Sequence, residues 1–239
     1  MKKKIVAMCA TVAIAAVAVG GTLAYFTDTD AAKNVMTTGN VAIEQYEKDK
    51  AGNDFVQEQK LYPRVDTIAI DRNNIVAEDG FYNPAIKNVI DKVVTVENTG
   101  SEEAYVRTVF AFETQRHYTP GSSTEFTCLH DTYFGVLANN LVYTDQYFTM
   151  DGVEYVVAVC TYADPVASGA TTDPSLKQFF LAPTANNEVA TLFGETYDIL
   201  VLSQAVQAEG FGDATIALDA AFGEVTAANA KAWFEAATF

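Results

Sequence analysis

VVTVENTGSEEAYVRTVFAF, residues 93–112, is the stretch that decides the fold of this chain. Two runs of alternating β-branched and aromatic residues flank residues 98–102, Asn-Thr-Gly-Ser-Glu, which favour a turn. The pattern predicts a β-hairpin over residues 93–112. The side chains expected to face the core are Val94, Val96, Val106, Phe110 and Phe112. Arg107 is out of phase with them and is expected to point outward.

Similar runs recur along the chain and are separated by Gly, Asn, Asp and Pro. Many short antiparallel strands must pack face to face to bury their apolar side chains. We therefore expect a mainly β fold, an antiparallel β-sandwich of jelly-roll-like form, with residues 25–239 as one domain. The expected strands are 40–46, 67–70, 92–97, 104–113, 126–129, 141–143, 153–162, 178–181 and 197–205.

Helical character is confined to the C-terminal segment, residues 212–239. Asp213 can cap a first helix that runs to Phe222 and ends at Gly223, and Thr226 can start a second helix that runs through residue 237. The expected apolar members of the first helix are Ile216, Leu218 and Phe222. Val225, Trp233 and Phe234 are expected to dock the pair against the sandwich edge. A helical pair that serves as a binding arm is the alternative.

The first 24 residues have the pattern of a secretory signal peptide. Three lysines at positions 2–4 precede an uncharged stretch that continues to a Gly-Gly pair at 20–21, and the small residues Thr22 and Ala24 fit a signal-peptidase pocket. We expect cleavage between Ala24 and Tyr25, and hence a secreted protein at the cell surface or outside the cell. A retained anchor is the alternative, since residues 5–23 are long enough to cross a bilayer.

The same region resembles a known family. GGTLAYFTD at 20–28, followed by NVMTTGNV at 34–41, is similar to the TasA and camelysin-like exported proteins of Gram-positive bacteria. Residues 93–107 and 187–208 also resemble the bodies of such proteins. The resemblance implies processing by a signal peptidase of the SipW type. It also implies that the freed N-terminal segment, residues 25–39, adds to the sheet of the next subunit, with Phe26 or Val35 entering pockets on that sheet.

Charge and composition restrict the partners. The chain carries a net charge of −16, and removal of residues 1–24, which hold three lysines and no acid, leaves −19. Nucleic acid and anionic lipid are therefore unfavourable partners, and membrane contact is expected only through an uncleaved signal segment. A hydrophobic fraction of 49% is ample for a packed core.

No sequence motif supports catalysis, a cofactor or a metal. His117 and His130 are the only histidines, and they do not form the His-Glu-x-x-His pattern of zinc proteases, so the metalloprotease label given to camelysin-type proteins is not carried over. Gly-Ser-Ser at 121–123 lacks the Gly-x-Ser-x-Gly elbow. Residues 48–54 lack the alternating ligands of a calcium loop and are expected to form a solvated turn. We expect a protein that is not an enzyme.

Cys128 and Cys160 are the two cysteines of the expected mature chain. Both lie in strand-like runs, and export would permit a disulfide between them if their strands are adjacent. Two buried free thiols are the alternative.

These observations favour an exported, non-catalytic cell-surface or biofilm-matrix structural protein that forms homo-oligomers or filaments by N-terminal strand addition. A monomeric secreted adhesin or carbohydrate-binding module is the alternative. Its sheet-face aromatics would be Tyr105, Tyr118 and Tyr133.

Overall fold

The computed structural model describes residues 27–30, 41–56, 59, 61–66, 75–118, 126–128, 134–185 and 197–237. The predicted strand at 67–70 and the signal segment lie outside these residues. Among the described residues, no helix has both the length and the apolar character needed to cross a bilayer.

The described part of the chain contains thirteen strands and two helices. Its two main sheets are antiparallel and pack face to face, with strand orders β1-β13-β6-β11-β10 and β2-β5-β12-β9. The prediction of a mainly β sandwich with two C-terminal helices is confirmed. The strands are β1 Thr27–Asp30, β2 Ile43–Lys48, β3 Val65–Asp66, β4 Ile86–Lys87, β5 Val89–Asn98, β6 Ala104–Thr114, β7 Arg116–Tyr118, β8 Phe126–Cys128, β9 Phe134–Ala138, β10 Val142–Met150, β11 Val153–Thr161, β12 Leu176–Leu181 and β13 Ile199–Gln207.

The chain repeatedly crosses between the two sheets. It begins in the five-stranded sheet with β1 and passes to the four-stranded sheet for β2 and β5. It returns to the five-stranded sheet at β6, leaves for β9, returns for β10 and β11, leaves again for β12 and returns at β13. These crossings place β6 between β13 and β11, and β12 between β5 and β9. The result is the interleaved connectivity of a jelly-roll-like sandwich.

The predicted hairpin over 93–112 is wrong, because β5 and β6 lie in opposite sheets. The segment between them is an arch across the sandwich, and the buried Asn98 supports this corner. Its Nδ2 donates to the carbonyl oxygens of Glu102 and Val166, at 2.7 and 2.8 Å. Alternation shows which face of a strand is buried but does not show which strand lies beside it. Both strands bury a face in the same interior, from opposite sides.

The interior between the sheets contains the residues that the sequence predicts for it. Val94, Phe110 and Phe112 belong to one apolar cluster, and Val96 and Val106 belong to another. All eleven residues of β6 are buried, although alternation would expose every second one. The second face of β6 is covered as well, and the C-terminal helices provide that cover.

Helix α1 is Ala214–Phe222 and helix α2 is Ala227–Ala236. Both predicted N-caps are present: the Asp213 carboxylate accepts from the Ile216 N–H at 3.0 Å, and the Thr226 hydroxyl accepts from the Asn229 N–H at 3.2 Å. Gly223 follows α1 with φ 91°, a conformation that favours glycine.

The helices pack on the outer face of the five-stranded sheet, so the predicted docking at the sandwich edge is wrong. Phe234 and Ala230 of α2 are buried in a cluster with Val109, Val157 and Leu202 of the sheet, and Val225 and Trp233 pack against that cluster. Leu218 of α1 is buried, whereas Ile216 is 66% exposed. An apolar sheet face offers more area than an edge, and this decides the position of the pair.

Candidate functional site

The free edge of β13 carries the N-terminal strand β1. The two strands are antiparallel, with Thr27 opposite Val206 and Asp30 opposite Ser203. Because β6 occupies the other edge of β13, β1 is the outermost of the described strands on this side of the sheet. It covers only four of the nine residues of β13. Part of the predicted donor segment therefore pairs with a sheet of its own chain, while Ala24, Tyr25, Phe26 and Val35 lie outside the described residues.

On the face of β13 that points into the sandwich interior, the side chains beside β1 are polar. The Ser203 hydroxyl donates to Oε1 of Gln45 on β2 at 2.7 Å, and it lies 3.2 Å from the hydroxyl of Thr108. All three side chains are buried. Buried polar groups are costly unless they are hydrogen-bonded, so this row specifies how β2, β6 and β13 align.

On the opposite face of β13, which points toward the helices, the residue beside β1 is Gln204, and it is 1% exposed. Its Oε1 accepts from Nε of Arg107 at 2.6 Å. A guanidinium has only donors, so this contact fixes the orientation of the amide and turns Nε2 away from Arg107. Gln204 Nε2 is buried and has no hydrogen-bond partner among the described residues. Thr29 of β1 lies directly opposite Gln204 in the register.

Arg107 connects Gln204 to the helices. Its guanidinium donates to Asp219 of α1 at 2.7 Å and to the carbonyl oxygen of Gly223 at 2.8 Å, and it lies 5.0 Å from the ring centroid of Trp233. Burial lowers the pKa of Arg107, and the ion pair with Asp219 opposes that shift. Arg107 faces away from the sandwich interior, as predicted, but its side chain is buried and not exposed, because α1 and α2 cover that face.

Sequence reasoning did not identify Gln204 or Ser203 as site residues. A signal for them exists, since Ser203-Gln204 interrupts the apolar run ILVLSQAVQ at the centre of β13. Polar residues at the centre of a strand buried on both faces indicate a specific pairing.

The opposite edge of the five-stranded sheet is irregular. The pairing of β10 with β11 shifts between Tyr143 and Tyr147, and Asp145 within this bulge has φ 54°. Bulges and charged residues on an edge strand hinder the addition of another strand. The two edges of this sheet are therefore not equivalent.

Cys160 is a buried free cysteine, and its thiol donates to the carbonyl oxygen of Asn139 at 3.4 Å. Burial raises the pKa of this thiol to about 11. The predicted bridge from Cys160 to Cys128 is thus not formed in this structure. Cys128 ends β8, of which the structure describes the backbone only.

The other residues weighed for chemistry are described only in part. His117 lies on β7, which is described by its backbone, and His130 and residues 121–123 lie outside the described part. Within that part, no group of three His, Cys, Asp or Glu side chains is placed to hold a metal ion. In the predicted turn at 48–54, Asp49 accepts from the backbone and side-chain nitrogens of Asn53.

The predicted carbohydrate-facing aromatics gain no support from the described residues. Tyr105 is 6% exposed and packs beneath α1 with Val206 and Leu218. The cleft beside it, about 500 Å³, is lined by Glu102, Glu103 and Glu209 among others. Tyr118 is described by its backbone only, and Tyr133 lies outside the described residues.

Comparison with known proteins found no matching family model, no matching curated protein and no matching solved structure. The resemblance of the N-terminal segment to TasA and camelysin-like proteins therefore stays a prediction.

Proposed function

We propose that this chain is an exported, non-catalytic structural protein of the cell surface or biofilm matrix. In this proposal a SipW-type signal peptidase releases Tyr25 as the new N-terminus. The released segment of one subunit then adds as a strand to the β13 edge of the next subunit.

The observation that carries the proposal is the pairing of β1 with the edge of β13. Backbone hydrogen bonds between two antiparallel strands are the same whether the strands belong to one chain or to two. Exchange of β1 between copies therefore replaces each lost bond with an equivalent one, as in domain swapping. Repeated head-to-tail exchange that does not close into a ring produces a filament.

The difference between the two edges of the five-stranded sheet supports growth in one direction. The β13 edge accepts a strand, while the β10 edge carries the bulge at Asp145. One subunit would therefore offer one donor and one acceptor, as an open chain of subunits requires.

The acidic surface predicts a salt requirement. Subunits of net charge −19 after removal of residues 1–24 repel one another, and salt screens this repulsion over about 8 Å at physiological ionic strength. We expect more polymer at 0.15 M salt than at 0.01 M salt. Salt weakens the repulsion between subunits, whereas the backbone hydrogen bonds between paired strands carry no net charge for salt to screen.

The decisive experiment compares three forms of the chain that begins at Tyr25: intact, lacking residues 25–36, and with residues 25–36 replaced by a Gly-Ser segment of equal length. Electron microscopy over a range of protein concentrations should show filaments with the intact chain only. Circular dichroism should show the same β-rich fold for all three. Unchanged filaments in either altered form would refute strand addition.

The export part of the proposal has a separate test. Amino-terminal sequencing of protein recovered from the culture medium should begin at Tyr25. Recovery of the chain with Met1 still attached would contradict processing, whatever the outcome of the microscopy.

A further inference from the structure

A cleft of about 500 Å³ lies at the end of the five-stranded sheet, where β6 begins and β13 ends. Its lining includes three glutamates, Glu102, Glu103 and Glu209, together with Tyr105 and Phe211. None of the ion pairs among the described residues involves these three glutamates. Charge of one sign in a cleft concentrates the electric field, so this cleft attracts a small cation.

The backbone of β1 starts beside this cleft. β1 is antiparallel to β13, and its first residue, Thr27, lies opposite Val206. The described strand therefore begins two residues after Tyr25, the first residue of the proposed mature chain. Two more positions in the same antiparallel register put Tyr25 opposite Ala208. Gln207 and Ala208 both line the cleft, so the start of the mature chain falls at its mouth.

We propose that this cleft binds the α-ammonium group of Tyr25, which cleavage after Ala24 creates. The inference rests on the proposed function for the position of that cleavage. Before cleavage the backbone nitrogen of Tyr25 is an uncharged amide. After cleavage it is an amine that is mostly protonated at neutral pH, since α-amino groups ordinarily titrate at about pH 7.7–8.0. Processing therefore supplies a positive charge that offsets the three carboxylates and anchors the start of β1 to the end of β13.

The chain's own terminus fits this cleft better than a lysine from another molecule. A lysine carries the same charge, but its approach is opposed by the repulsion between two copies that each have a net charge of −19 after removal of residues 1–24. The Tyr25 amine is instead connected covalently to β1, so its effective concentration at the cleft is high. Binding of the amine is therefore an intramolecular event.

Acetylation of the amine provides the test, because it removes the charge and leaves the rest of the chain unchanged. The chain that begins at Tyr25, which includes every described residue, is compared at pH 6.5 with a free and with an acetylated N-terminus. Hydrogen exchange at the β13 amides that point toward β1 reports how often this edge opens. We expect about fivefold faster exchange in the acetylated form, the size of a partly exposed ion pair. Equal exchange in the two forms would overturn the proposal.

Variants of the cleft show where the amine binds. The cleft variant combines Glu102→Gln, Glu103→Gln and Glu209→Gln, and in it acetylation should change the exchange less than twofold. The control variant replaces by glutamine three exposed glutamates that lie outside the cleft, Glu78, Glu224 and Glu235. It loses the same charge and should keep the fivefold effect of acetylation. A fivefold effect that persists in the cleft variant would show that the amine binds elsewhere, contrary to the proposal.

The exchange experiment and the microscopy separate this inference from the proposed function. β1 pairs with β13 within a single chain, so exchange is measured on the monomer, at a concentration where no polymer forms. A fivefold effect of acetylation without filaments at any concentration would support binding of the amine and contradict strand addition between subunits. Filaments with no effect of acetylation on exchange would support strand addition and overturn binding of the amine.

Discussion

Replacement of Arg107 by Met tests whether the ion pair beneath the helices holds the helical layer to the sheet. Arg107 is 1% exposed and donates to Gln204, to Asp219 and to the carbonyl oxygen of Gly223. Methionine fills similar space but donates no hydrogen bond. We expect a loss of about 3–5 kcal/mol in the free energy of unfolding, the range found when one partner of a buried pair is removed.

The separate contributions agree with that range. Loss of the donor leaves Oε1 of Gln204 buried and unsatisfied, at a cost of about 1–3 kcal/mol. Loss of the cation above the Trp233 ring costs about 0.5–2 kcal/mol. The side chain of Asp219 is 27% exposed, so water replaces part of its lost ion pair. The double variant with Asp219→Asn should therefore cost less than the sum of the two single changes, by about 1–2 kcal/mol.

Urea unfolding followed by circular dichroism measures this effect, and the fluorescence of Trp233, the single tryptophan, provides a second probe. Lys231→Met is the matched control, since Lys231 pairs with Glu235 at 3.7 Å on the exposed side of α2 and should cost less than about 0.5 kcal/mol. A loss below about 1 kcal/mol for Arg107→Met, at an unchanged denaturant slope, would refute the assigned role of the pair.

Three further predictions concern the packing or burial of single residues. Burial raises the pKa of Glu113 to about 7, so the folded state binds more protons than the unfolded state and stability should fall from about pH 4.5 to 7. Glu113→Gln, which still accepts from the Asp198 N–H, should flatten that fall in urea midpoints; an unchanged profile would contradict this. A Cβ at Gly135 would lie 2.3 Å from the Phe180 ring, so Gly135→Ala should lower the unfolding free energy by about 1–3 kcal/mol, and an unchanged urea midpoint would count against it. Cys160 should resist alkylation until the protein is unfolded, and a mass increase of about 2 Da on reduction would instead indicate a disulfide.

The helix ends were predictable because the signals for them are local. A capping residue acts on N–H groups two or three positions further along the chain, so Asp213 and Thr226 identify both helix starts without knowledge of the rest of the fold. The predicted strand at 141–143 is too short, since β10 extends to Met150. The bulge in β10 disturbs the alternation on which the prediction depends.

The candidate site was predictable only in part. The sequence predicts a strand donor in the N-terminal segment from its position and its resemblance to exported proteins, and strand donation stays a prediction. The sequence did not predict the edge with which β1 pairs. Gln204 and Arg107 are 97 positions apart in the chain and meet only because β13 lies beside β6. A polar pair at such a separation leaves no periodic signal in the sequence.

By itself the sequence determined the strand-rich composition of the body, the faces of β5 and β6 that enter the core, and the caps of both helices, because propensity, alternation and capping act over a few neighbouring residues. Only the tertiary structure decided that residues 93–112 form an arch and not a hairpin, that Arg107 is buried beneath two helices, and that β1 lies on the edge of β13. These outcomes depend on which surfaces bury the most apolar area against one another, a competition among segments distant in the chain.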